Sequence, residues 1–201
     1  MREVWDDKFS GKDYFFGTIP NAFLVDQSRR FSPGMSALCV ADGEGRNGVW
    51  LAEQGLDVVS VDFSKAGLAK ARELARSRGV SVETICADLL SWKWPQGAFD
   101  VVVALYIHFP EGERSVVNRA MLAALKPGGV LVMEVFHPDQ LRLGFESGGP
   151  QDPELLYTAD GLRHDFADAE IITLEELVLT RSESRHAGKK AAITRLIAKR
   201  Q

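Results

Sequence analysis

Residues 37–62 read ALCVADGEGRNGVWLAEQGLDVVSVD, and their order decides the fold. Ala37 to Val40 is a short apolar run that predicts a buried strand. Gly43 and Gly45 make the turn that follows. Arg46 to Gln54 carries Val49, Trp50 and Ala52, which suits a helix, and Gly55 stands where a left-handed helix stop calls for glycine. Val58, Val59 and Val61 predict a second strand closing on Asp62. Glycines without Cβ let a ligand approach the backbone at the positive end of a helix. An acid about twenty residues on can accept both hydroxyls of a ribose. The unit reads as a nucleoside pocket. The competing reading is an ordinary strand–helix packing turn with Asp62 as a solvated cap.

The nucleoside is narrowed by what does not fit. Ala41, Gly43 and Gly48 do not lie cleanly on the dinucleotide pattern G-x-G-x-x-G. Glu44 also puts a carboxylate inside the turn, a poor companion for a pyrophosphate. Both points disfavour a nicotinamide-dependent reductase.

The rest of the chain continues the alternation. Ser64 is placed to cap a helix with Leu68, Ala71, Leu74 and Ala75 on its apolar face, ended by Gly79. Val80 to Ala87 predicts a third strand closed by Asp88 and Leu89. Phe99 to Leu105 predicts a fourth, breaking at Tyr106-Ile107-His108-Phe109-Pro110. Glu111 to Leu125 is an amphipathic helix stopped by Lys126-Pro127-Gly128-Gly129, and Val130 to Phe136 predicts a fifth strand ending on His137. Ligands of doubly wound sheets sit beyond the carboxyl ends of the strands. His108 and His137 are therefore the acid–base and substrate-contact candidates, since imidazole titrates near neutrality. Each could equally be a histidine bonded to a backbone carbonyl. Leu141 to Asp152 is glycine-rich and reads as a mobile loop, and Pro153 to Phe166 as mostly helical. Ile171 to Thr180 and Lys190 to Lys199 predict a terminal hairpin, with Arg181, Arg185 and His186 near its tip. That tip reads either as a solvated basic turn or as a place to steer an anionic or soft substrate.

Residues 1–34 are dense in aromatics: Trp5, Phe9, Tyr14, Phe15, Phe16, Phe23 and Phe31. Such a stretch packs rather than dangles. It is either a brace over the sheet edge or a lid that excludes water, with Tyr14 and Phe16 as lid or substrate residues.

Length and composition bound the function. The 201 residues suit a single domain, residues 1–201, with 35–201 as its core, and a net charge of −4 argues against nucleic acid or an anionic membrane as partner. No run of eighteen apolar residues occurs, and the N-terminus lacks a signal-peptide pattern, so a cytoplasmic home is expected. Cys39 and Cys86 fall in apparent buried strands and read as reduced core residues, without metal spacing.

The turn Ala41-Asp42-Gly43-Glu44-Gly45-Arg46-Asn47 resembles motif I of the class I S-adenosylmethionine-dependent methyltransferases, commonly G-C-G-E-G-R-N. Cys39 stands where that family usually has an acid, and Ala41 where it usually has the first glycine. Leu125-Lys126-Pro127-Gly128-Gly129-Val130-Leu131 resembles the turn before its fifth strand. Tyr14 to Leu24 and His186 to Ala191 resemble the lid entry and closing turn of small-molecule members near the tellurite-resistance group. The resemblance implies a three-layer Rossmann-like α/β sandwich with a seven-stranded, mostly parallel sheet and a terminal antiparallel hairpin. It implies S-adenosylmethionine as cofactor, held by Asp42, Gly43, Gly45, Asn47, Asp62, Phe63, Ser64, Asp88, Leu89, Leu105 and Tyr106. Asp88 would accept from the adenine amino group. The acceptor would be a small molecule (a thiol, a chalcogen oxyanion or similar) touched by Tyr14, Phe16, Arg185 and His186, in a monomer or homodimer. A sensor that binds the cofactor without turnover is the alternative.

Overall fold

The computed structural model describes residues 2–201. The chain divides into two compact units, one running to Trp92 and including Glu183–Arg185, the other formed by Lys93–Ser182 and His186–Gln201.

In the first unit, β1 (Ser36–Val40), β2 (Asp57–Asp62) and β3 (Glu83–Cys86) are parallel. The register runs from Ser36 opposite Asp57 to Val40 opposite Val61. Two helices make the crossovers, α3 (Arg46–Glu53) and α4 (Lys65–Ser77), and α1 (Arg2–Phe9) and α2 (Ala22–Asp26) precede them. Ser64 caps α4 as expected, accepting from the Gly67 N–H at 3.0 Å, and Leu68, Ala71, Leu74 and Ala75 are buried. β3 is shorter than the run from Val80 to Ala87 because the chain is still leaving α4. Gly79 takes φ +71°, and the Val80 N–H is used on the Ala75 carbonyl, closing the helix end. Cys86 corrects the expectation of two buried cysteines: Cys39 is buried, but Cys86 lies on the edge strand and is exposed, and both thiols are free.

In the second unit, β4 (Phe99–Leu105) and β5 (Leu125–Phe136) are parallel. β7 (Lys190–Arg200) runs antiparallel to β5, and β6 (Ala169–Thr180) antiparallel to β7. The helices are α5 (Glu111–Ala124), α6 (Asp139–Arg142) and α7 (Ala159–Asp165). β5 starts earlier than Val130. Phe99 pairs with Leu125 and Val101 with Val130, so Lys126–Gly129 bulges out of a longer strand rather than merely preceding it. The bulge needs its glycine, since a Cβ at Gly129 would lie 2.9 Å from the Lys126 carbonyl oxygen and 3.0 Å from that of Phe99.

Two further expectations change in this unit. The loop after β5 is pinned rather than free: buried Gln140 donates to the Phe145 carbonyl, the Ser147 hydroxyl and the Gly148 carbonyl, each at 3.0 Å, and accepts from the Ala192 N–H at 3.0 Å. The stretch from Pro153 to Phe166 is only partly helical. A 3₁₀ turn at Pro153–Leu155 gives way to extended backbone at Leu156, and Thr158 then caps α7 by accepting from the Gly161 N–H. α7 is locked to α5 by Asp165, which accepts from Arg114 Nε at 2.7 Å, Ser115 Oγ at 2.7 Å and Asn118 Nδ2 at 2.9 Å.

The seven strands follow the order β3-β2-β1-β4-β5-β7-β6 in one sheet, mostly parallel with an antiparallel hairpin at its end. This is the Rossmann-like architecture expected. Among the described residues, no helix is long and apolar enough to cross a membrane.

Candidate functional site

Asp62 ends β2 beside the glycine turn. One carboxylate oxygen accepts the Gly43 N–H at 2.9 Å and the other the Ser64 N–H at 2.8 Å. Burial pushes this carboxyl above its usual range, against the pull of those backbone bonds and of one from Phe63. The Gly43 and Ser64 N–H groups meet one lone pair on each oxygen and Phe63 draws on a third, so the group keeps acceptor capacity for a hydroxyl.

The other residues of the turn face away from Asp62 or hold neighbouring chain. Asp42 points back between α3 and β2, accepting from Ser60 Oγ at 2.7 Å and the Gly48 N–H at 3.3 Å. Burial pushes its carboxyl up to about 7, opposed by those two bonds and aided by the charge on Asp62. Gly45 is a packing glycine, because a Cβ there would sit 2.6 Å from the Ala71 methyl. Glu44, Arg46 and Asn47 bind the N-terminal stretch. Glu44 pairs with Lys70 at 2.8 Å and accepts from the Phe16 N–H at 3.4 Å. Arg46 donates to the Ile19 carbonyl at 3.1 Å, and Asn47 Oδ1 accepts the Asn21 N–H at 2.9 Å. Tyr14 donates to the Lys70 carbonyl at 3.2 Å. Phe16 packs among Trp5, Phe9 and Phe15, and the Arg185 guanidinium lies 4.3 Å above the Phe15 ring.

Phe9 and Asp6 also meet the turn. A Cβ on Gly43 would lie 3.1 Å from the Phe9 ring, and Asp6 accepts from Ser64 Oγ at 2.5 Å and the Ala66 N–H at 3.2 Å, at the start of α4. Asp88 is exposed and closes a turn by accepting from the Leu90 N–H at 3.0 Å, while Leu89 is buried.

In the second unit, Leu105 is buried at the end of β4, and the next residue, Tyr106, has φ +58°, a left-handed conformation unusual for a bulky side chain. It is held there from both ends. Its N–H donates to the Glu134 carbonyl and its hydroxyl to the Glu134 carboxylate, both at 2.7 Å. Arg195 Nε donates to the second Glu134 oxygen at 2.8 Å. The Tyr106 ring packs on Phe136 at 4.9 Å, and the Arg181 guanidinium lies 4.6 Å above Tyr106. Arg181 is therefore buried on aromatic rings, not part of a solvated turn.

His108 stacks on Phe136 at 5.6 Å and meets Tyr157 edge-on at 5.8 Å. Its Nδ1 is 2.9 Å from the Leu155 carbonyl oxygen. Burial pushes its pKa down to about 4. His137 is engaged at both nitrogens: Nδ1 accepts the Asp139 N–H at 3.1 Å, and Nε2 is 3.4 Å from Glu176. His186 lies against Gly148, with Nε2 3.0 Å from where a Cβ would stand.

Residues 37–129 match the family described as a methyltransferase domain. Over 105 residues the chain is 37% identical to the glycine/sarcosine N-methyltransferase of Halorhodospira halochloris, covering 48% of this chain and 38% of that protein. A structure solved in work on conversion of a disulfide bond into a thioacetal group during echinomycin biosynthesis aligns with a TM-score of 0.80 and 22% identity, covering 100% of this chain and 92% of the other. The N-methyltransferase NodS of Bradyrhizobium japonicum WM9, crystallised with S-adenosyl-L-homocysteine, aligns at 0.75 with 12% identity, covering 99% and 97%. The chain is similar to methyltransferase domains over residues 37–129 and shares its fold with these solved structures. It spans less than half the length of curated relatives such as the Halorhodospira enzyme.

The residues present fit S-adenosylmethionine at the point where fit can be tested: a buried carboxylate with acceptor capacity left lies one hydrogen bond from a turn N–H. Sequence reasoning missed several residues around the candidate sites. Asp6, Lys70 and Arg46 act through contacts distant in sequence that no local pattern announces. Glu134 did carry a signal, since it interrupts the apolar run Val130 to Phe136 and a charge in a buried strand needs partners.

Proposed function

We propose that this methyltransferase moves a methyl group from S-adenosylmethionine to a small-molecule acceptor. The observation that carries the reading is the Asp62 carboxylate, 2.9 Å from the Gly43 N–H and with acceptor capacity left for a ribose hydroxyl. When bound, the cofactor supplies a methyl made electrophilic by its sulfonium. The chain's own tasks are binding, alignment and exclusion of water. Asp62 takes a ribose hydroxyl, with Gly43 and Gly45 shaping the turn and Phe63, Ser64, Asp88 and Leu89 around the adenosine. Leu105 and Tyr106, at the end of β4 in the second unit, are the further residues that the family resemblance assigns to the cofactor. Glu44, Arg46 and Asn47 hold residues 16–21, so that Tyr14 and Phe16 serve as a cover and the turn serves both ligand and lid. His108 and His137 are the candidate acceptor contacts at the ends of β4 and β5, with Arg185 and His186 at the hairpin tip.

Small-molecule methyltransferases among the relatives support a small acceptor. The test is a thermal-shift titration with S-adenosylhomocysteine followed by turnover with methyl-labelled S-adenosylmethionine and a panel of thiols, phenols and chalcogen oxyanions. A rise in melting temperature that Asp62→Ala removes is expected, with an affinity loss of about ten- to a hundredfold, since a hydrogen bond to a charged group is lost. Unchanged affinity in that variant overturns the site. Stabilisation without formation of S-adenosylhomocysteine above background would leave a binding module that does no transfer.

A further inference from the structure

One ring nitrogen of His108 has no hydrogen-bond partner among the described residues, although it is sealed from solvent. Its other nitrogen settles which form the ring takes. The Leu155 carbonyl can only accept, so Nδ1 at 2.9 Å must carry the proton. Nε2 then presents a bare lone pair. Leaving a buried acceptor unmet costs about 1–3 kcal/mol, and folded proteins rarely tolerate that without a use. The surroundings are aromatic: Phe136 lies flat against the imidazole, Tyr157 meets it by an edge, and Tyr106 continues the layer beside Phe136. The Tyr157 hydroxyl is occupied, accepting the Phe109 N–H at 2.8 Å. Arg181 is committed to the faces of Tyr106 and Phe136 and to the Ser147 carbonyl at 3.0 Å.

We infer that His108 Nε2 binds the acceptor by taking a hydrogen bond from a neutral thiol or hydroxyl, and that the aromatic layer selects an apolar or aromatic body on that group. The inference rests on the methyltransferase reading above. It separates two acceptor classes that the sequence left together. An oxyanion brought to Nε2 meets a lone pair and is repelled, whereas an S–H or O–H is oriented by it. As the new bond to carbon forms, the carbon–sulfur bond of the sulfonium breaks and its electron pair stays on sulfur. The acceptor atom becomes positive, and its proton passes to Nε2, giving an imidazolium held through Nδ1–H by Leu155. A base of low pKa suffices, because a protonated methyl thioether or ether is a far stronger acid than any imidazolium. His137 cannot serve in this way, with both its nitrogens engaged.

The 201-residue protein labelled with ¹⁵N-histidine tests this, since these residues hold only 4 histidines and His108→Phe identifies the signal. Expected is an unprotonated Nε2 that shifts when phenylmethanethiol or 4-methylphenol is added and stays unmoved by selenite. A protonated Nε2, no shift with either neutral probe, or a shift with selenite overturns the inference. The titration run without S-adenosylhomocysteine reads the histidine alone, so a failure of cofactor binding is seen separately. In turnover, His108→Gln, which keeps an acceptor atom near Nε2, retains activity toward whichever neutral probe is methylated. His108→Phe keeps the stack and loses about ten- to a hundredfold in kcat/KM, with S-adenosylhomocysteine affinity unchanged. Equal rates in the two variants also overturn it.

Discussion

The glycine turn after β1 and the aromatic layer at the ends of β4 and β5 treat buried polar groups in opposite ways. At the turn, Asp42, Glu44, Arg46, Asn47 and Asp62 are each matched to a backbone or side-chain partner within the first unit. In the aromatic layer, strain and an unmet atom persist: Tyr106 sits at φ +58°, and His108 keeps a bare nitrogen. A region whose polar groups are all met is built once and serves a constant ligand. A region that leaves one unmet keeps an acceptor in reserve for something that binds there.

The largest expected effect tests what supports the aromatic layer. Arg114 lies 5.0 Å from the Tyr157 ring that meets His108, and Asp165 is its ion-pair partner at 2.7 Å in a buried setting. Asp165→Ala leaves a buried guanidinium uncompensated and strips Ser115 and Asn118 of their acceptor. A loss of about 3–5 kcal/mol is expected in urea melts. A loss under about 1 kcal/mol would mean that solvent reaches Arg114 and that the layer's support lies elsewhere.

The turn has its own lever, the acid behind it. Asp42 has a folded pKa near 7 against an ordinary 3.8, so the folded state holds a proton that the unfolded chain has released. Stability from this group is present below about pH 4 and is lost as the pH rises toward 7, by up to roughly 4 kcal/mol. Asp42→Asn removes that slope while keeping an acceptor for Ser60 and Gly48. Melting temperatures of wild type and variant that run parallel from pH 4 to 7 would show Asp42 ionised throughout.

The same contrast explains what could be read in advance. β1, α3 and β2 are consecutive, so turn, helix and acid announce themselves in one stretch of 26 residues, Ala37 to Asp62. The aromatic layer draws on Tyr106, His108, Phe136, Tyr157 and Arg181, brought together by strand pairing and by the Gln140 clasp rather than by neighbourhood in sequence. Periodicity cannot see such an assembly. It misled for the same reason at Arg181, which a local pattern assigns to a polar hairpin tip and packing assigns to the faces of two rings. Glu44 and Asn47 show a subtler limit. Their spacing from Gly43 is legible, but whether a side chain reaches toward a ligand or back to residues 16 and 21 depends on where the N-terminal stretch returns.

The smallest expected effect sharpens the view of the turn as fully satisfied, because one strain remains there. Ala41 has φ +51°, and its Cβ makes that left-handed conformation unfavourable by roughly 1–2 kcal/mol. Ala41→Gly relieves the strain, while the added freedom of glycine in the unfolded chain returns part of the gain. A net stabilisation of about 1 kcal/mol is expected, seen as a few degrees in the melting temperature. The variant changes no polar contact of Asp62, so S-adenosylhomocysteine affinity should stay within a few-fold of wild type. If affinity instead rose sharply with stability, the alanine methyl would be an obstacle to the cofactor and not only to the backbone. The strain at Ala41 would then belong to the same order as the strain at Tyr106: a conformation held for the sake of what the site binds.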